Sequence, residues 1–120
     1  MNNVYIMSAN RSAIGGFGGT LKNHCPVDLG TLVAKEAIAR SGYEANEVEH
    51  AVFGNVIHTE PRDMYVSRVI ALQAGMDKAS AALTVNRLCG SGLQAIVSAS
   101  QILMLGDASV AMAGGVEVMS

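Results

Sequence analysis

Short β-type runs alternate with helix-period runs along this chain, and most of the helical runs close on a glycine. Few architectures accept that order. Alternating strands and helices argue a mostly parallel sheet with helices on both faces. Val4-Tyr5-Ile6-Met7-Ser8-Ala9 reads as a first strand. A first helix opens at Pro26, a residue suited to the first helical position, with Asp28 placed to meet the positive end of the helix dipole. Leu29, Leu32, Val33 and Ala37 recur at helical spacing, and Gly42 ends the run. Ala51 to Ile57 reads as a second strand, and Met64 to Ala74 as a second helix closed by Gly75. Ala82 to Val85 is a third strand. Leu93 to Leu105 is a third helix ended by Gly106, and Ser109 to Ala113 a fourth strand. The expected order is β-α-β-α-β-α-β over a single domain, residues 1–120. The third helix is apolar nearly all round, so it is expected to be buried in the middle of a larger protein.

Composition removes several classes. Half of the residues are apolar and 15% are charged, which excludes a disordered chain. The net charge is −2 with no basic tract, so nucleic-acid binding has no electrostatic footprint. No run reaches the ~18 apolar residues of a membrane helix, and Met1 to Asn10 does not read as a signal peptide. The two cysteines, Cys25 and Cys89, form no CxxC, which favours neither a metal site nor a disulfide framework. A reducing, cytoplasmic compartment is expected. The loop Arg11 to Thr20 holds Gly15, Gly16, Gly18 and Gly19 but fails the dinucleotide-binding pattern. Leu21 stands where its last glycine belongs, and no helix opens directly after the loop.

The segment with chemistry in it is Asn86-Arg87-Leu88-Cys89-Gly90-Ser91-Gly92, between a strand and a helix start. A thiol becomes a strong nucleophile as the thiolate. The free N–H groups and positive dipole end of a helix N-terminus favour that form. Gly90 and Gly92 remove bulk beside the sulfur, and the Cys89 amide is a candidate oxyanion donor. Gly90-Ser91-Gly92 does not satisfy G-x-S-x-G around Ser91, so a serine-hydrolase elbow is disfavoured, and Ser91 reads as a helix-turn hydroxyl. Asn86 serves either the turn or the site, and Leu88 is pocket wall or core. Cys25, before Pro26, is a poor capping residue and reads as packing at the helix start.

These residues resemble a known family. Asn86 to Ala95 is similar to the acyl-cysteine signature of thiolases, and Ala113 to Ser120 to the strand and turn that follow it. Arg11 to Gly15 and Phe17 to Gly19 resemble the family's N-terminal stretch. Phe53 to Ile57 followed by Thr59 to Tyr65 looks like the bacterial β-ketothiolase branch. The resemblance spans essentially all 120 residues.

It implies a thiolase-like N-terminal half-domain of an acetyl-CoA C-acyltransferase of fatty-acid metabolism, with Cys89 catalytic and Asn86, Leu88 and Gly90 lining the substrate site. The reaction implied is Claisen condensation of acetyl-CoA with acyl-CoA, or thiolysis of a 3-ketoacyl-CoA. CoA thioesters are then substrates, and no separate cofactor is implied. The family's histidine and second cysteine come from late motifs that His24, His50, His58 and Cys25 do not match. The 120-residue chain alone is therefore expected to be inactive and to read as part of a longer protein, a homodimer or homotetramer when complete. The family's subunit interface also suggests that Met64 or Tyr65 touches a partner subunit or the acyl pocket. A ketoacyl synthase relative and a non-catalytic assembling fragment are the alternative readings.

Overall fold

The computed structural model describes residues 1–120. Its elements in chain order are helix α1 (Pro26–Ser41), strand β1 (His50–Gly54), helix α2 (Val66–Gln73), strand β2 (Ala81–Val85), helix α3 (Ser91–Met104) and strand β3 (Ala111–Gly115), with 3-10 turns at Ala45–Glu47 and Pro61–Tyr65. The three strands form one parallel sheet in the order β2-β1-β3. The α/β class, the parallel sheet and the helices on both faces are as the alternating pattern implies.

Strand β1 is central, and its alternating side chains serve both faces. Ala51 and Phe53 point into the larger core with Val27, Val66, Ile70 and Met112, beneath α1 and α2. Val52 points the other way, onto Ala95 and Ala99 of α3. Ser67 locks α2 to the sheet. Its hydroxyl accepts from the Phe53 N–H at 2.8 Å and donates to the Leu83 carbonyl at 2.7 Å. Helix α1 starts at Pro26 and ends at Gly42, which takes the left-handed conformation at φ 83°. No helix is long and apolar enough to cross a membrane.

The differences from the sequence reading are local and have physical causes. Val4 to Ala9 is not a strand, so the order found is α-β-α-β-α-β. This segment lies along α1, with Ser8 Oγ donating to the Ala37 carbonyl and Asn10 Nδ2 to the Val33 carbonyl. A strand needs a sheet edge to pair with, and a helix flank offers none.

Strand β1 stops at Gly54 because side chains capture the amides beyond it. The Glu117 carboxylate accepts from the N–H groups of Val56 and Ile57. The segment expected to begin the second helix at Met64 is instead a 3-10 turn. There the Asp63 carboxylate holds the N–H groups of Thr59 and Glu60. Strand β3 runs two residues further than expected, to Gly115.

Helix α3 is buried on one face within this chain. Only Ser91, Ala95 and Ala99 are buried, while Leu93 is 68% exposed, Ile96 45% and Val97 42%. The expected buried helix packs one face on the sheet and leaves its other apolar face bare, because no element of this chain lies over it.

Candidate active site

The carboxyl ends of all three strands meet the start of α3. Gly54 brings β1 directly against the helix: a Cβ built there would fall 2.8 Å from the backbone carbon of Ser91. The segment from Asn86 to Gly90 joins β2 to α3 over this junction and carries Cys89, whose thiol is free and exposed. Parallel α/β sheets place ligands outside the carboxyl ends of their strands.

The turn is built by its neighbours. Asn86 Oδ1 accepts from the Leu88 N–H at 3.1 Å and so braces the turn. Ser91 Oγ accepts from the Arg87 N–H and donates to the Leu88 carbonyl, both at 2.7 Å. Ser91 thus acts as the helix-turn hydroxyl expected of it. Leu88 sits in left-handed backbone at φ 50°, the one non-glycine residue of the chain to do so. Its side chain is 69% exposed, so it belongs to no core of this chain.

Gly90 caps α3 at φ −90° and ψ 6°, a conformation open to other residues. A Cβ there would meet only the Arg87 carbonyl, at 3.5 Å.

Two amides of the turn are already occupied. The Gly90 N–H donates to the Arg87 carbonyl and the Ser91 N–H to the Leu88 carbonyl, both at 3.1 Å. The Cys89 N–H makes no hydrogen bond within the chain and is free for an incoming acceptor. Arg87 lies alongside, its guanidinium donating to Gln94 Oε1 at 2.6 Å. With Gly90, Leu93 and Val97 these two residues line an open cleft on the outer side of α3.

The other sequence candidates lie elsewhere. Cys25 precedes α1, makes no capping bond, and packs against the larger core. Arg62 reaches it at 3.7 Å from Nη2 to Sγ. The Arg62 guanidinium is held above its ordinary range, chiefly by its hydrogen bond to Glu60 and then by that carboxylate's charge. Met64 and Tyr65 are exposed on the Pro61–Tyr65 turn.

Sequence reasoning did not single out Gly54, Asn55 or Glu117. Asn55 is fully buried; it donates from Nδ2 to the Val116 carbonyl at 2.9 Å and ties the end of β1 to the segment after β3. A glycine-asparagine pair closing a central strand was the available signal.

Residues 4–120 match the family described as "Thiolase, N-terminal domain". The chain belongs to the thiolase family. It is 58% identical over 117 residues to beta-ketothiolase BktB of Cupriavidus necator, covering 98% of this chain and 30% of that protein. It is 37% identical over 120 residues to the mitochondrial 3-ketoacyl-CoA thiolase of Bos taurus, again covering 30% of that protein. Among solved structures, the acetyl-CoA acetyltransferase of Bacillus anthracis superposes with a TM-score of 0.86 at 42% identity, over 92% of this chain and 28% of that one. The human mitochondrial 3-ketoacyl-CoA thiolase in complex with CoA gives a TM-score of 0.84 at 35% identity, over 87% of this chain and 26% of that one. This thiolase segment spans about 30% of the length of the curated relatives it matches.

Proposed function

We propose that the protein carrying this chain transfers acyl groups between CoA thioesters through a covalent acyl-Cys89 intermediate. The observation that carries the reading is an exposed, unpaired thiol with its own amide free, held at the start of α3 by a side-chain-braced turn. In the first half-reaction the Cys89 sulfur attacks the thioester carbonyl. The new carbon–sulfur bond forms, the CoA thiolate leaves, and the proton given up by Cys89 ends on the CoA sulfur. The Cys89 N–H is the amide of the turn able to stabilise the oxyanion. In the second half-reaction the α-carbon of acetyl-CoA, having lost a proton, displaces Cys89 from the acyl group. The reverse direction is thiolysis of a 3-ketoacyl-CoA.

This chain supplies the nucleophile, and the base and acid of the second half-reaction come from residues outside it. The relatives support this reading through their names: a beta-ketothiolase, a 3-ketoacyl-CoA thiolase and an acetyl-CoA acetyltransferase. A homodimer or homotetramer in a reducing, cytoplasmic compartment completes the proposal.

Intact mass spectrometry after incubation with acetyl-CoA tests it. One acetyl adduct is expected, mapping to Cys89 and absent in Cys89→Ala, with Cys25 unmodified. An adduct that survives Cys89→Ala, or none at all on the protein, refutes it.

A further inference from the structure

Beyond Cys89, one side chain at the same end of the sheet has a ring proton fixed at one nitrogen. We infer that His58 contacts the substrate of the Cys89 site, its Nε2 accepting a hydrogen bond from an N–H or O–H donor on the acyl thioester. The substrate named here rests on the acyl-transfer reading; the state of the ring does not.

The place of one ring proton follows from donor and acceptor rules. The Val116 carbonyl oxygen only accepts, so the Asn55 amide must turn its Nδ2 toward it, at 2.9 Å. That leaves Asn55 Oδ1 facing His58 Nδ1, 2.6 Å away. An amide oxygen only accepts, so Nδ1 must carry the proton. In the neutral ring Nε2 is then bare and is an acceptor. Asn55 is fully buried, and turning its amide over would set its Oδ1 against the Val116 carbonyl oxygen.

The loop that carries the ring is braced independently of it. Two amides before His58, those of Val56 and Ile57, are held by the Glu117 carboxylate. Two amides after it, those of Thr59 and Glu60, are held by Asp63 at 2.7 and 3.1 Å. The ring is therefore not needed to shape the loop, and its side chain is exposed. The loop leaves the central strand β1, so the Cys89 loop after β2 flanks it on one side and the segment after β3 on the other. The Asn55 N–H donates to the Val85 carbonyl, one residue before Asn86 of the Cys89 turn. A buried asparagine that fixes a tautomer at the ligand-binding edge of a parallel sheet prepares an acceptor for a ligand.

The test has two independent readouts on the protein. Nitrogen NMR of the imidazole at mildly alkaline pH, without substrate, is expected to show the proton on Nδ1 of His58. A proton on Nε2, alone or with one on Nδ1, overturns the inference. The second readout is the rate of Cys89 acylation against acetyl-CoA concentration. His58→Ala is expected to raise the half-saturating concentration about tenfold, the worth of one hydrogen bond, while the maximal rate holds. His58→Gln, which keeps an acceptor, is expected to recover much of the loss. An unchanged half-saturation in His58→Ala overturns the substrate contact. Absence of acylation in the wild-type protein overturns the acyl-transfer reading and the substrate assigned to His58, while the ring state is still decided by NMR.

Discussion

Leu88 shows how one residue can set the position of a nucleophile. Its φ of 50° is a region where a side chain costs about 1–2 kcal/mol, yet three bonds hold it there. Asn86 accepts from its N–H, and its carbonyl accepts from both the amide and the hydroxyl of Ser91. Leu88→Val places a β-branched residue in that region and is expected to destabilise the fold by about 1–2 kcal/mol. Leu88→Gly relieves the strain while enlarging the freedom of the unfolded chain, so stability is expected to change by less than about 1 kcal/mol. Urea melts of both variants check this, and equal losses would show that the backbone angle is not what matters. The chemistry of the turn was legible, because a cysteine between a strand and a glycine-flanked helix start is visible in any linear reading. The left-handed leucine was not, because leucine carries no signal for that conformation.

Elements meet where glycine lets them. Gly54→Ala would drive a methyl group to 2.8 Å from both the backbone carbon and the Cβ of Ser91, and neither can move without shifting α3. A loss of about 1–3 kcal/mol is expected, with an altered alkylation rate at Cys89 because the helix start carries the turn. Gly92→Ala is the contrast: its Cβ would meet nothing within 4 Å, and the change is expected to be neutral or to stabilise by up to about 1 kcal/mol. Thermal melts with iodoacetamide kinetics check the pair; an unaltered rate in Gly54→Ala would break the link between strand and nucleophile. Most of the elements could be read from local punctuation, with Pro26, Gly42 and Gly106 bounding their helices. What escaped was long-range. The early end of β1 depends on Glu117, and the failure of Val4 to Ala9 to form a strand depends on what lies beside it in space. Periodicity gives the type of an element, but its partners come from residues far along the chain.

At the scale of the whole molecule, the sheet is covered on both faces, but the cover on one face is itself uncovered. Helix α3 turns Ala95 and Ala99 to Val52, and its other side exposes Leu93, Ile96 and Val97 at adjacent helical positions. Strands β2 and β3 also leave both sheet edges open. Contiguous apolar surface and unpaired edges favour association. The chain on its own is therefore expected to sediment above its 12.4 kDa monomer mass, increasingly so with concentration. Leu93→Glu combined with Ile96→Glu should return it toward the monomer. Both side chains lie away from the sheet, so the melting temperature should change little. A wild-type chain that stays monomeric at high concentration would mean this face needs no cover. If the double variant associates as strongly as the wild type, the outer face of α3 is not the contact.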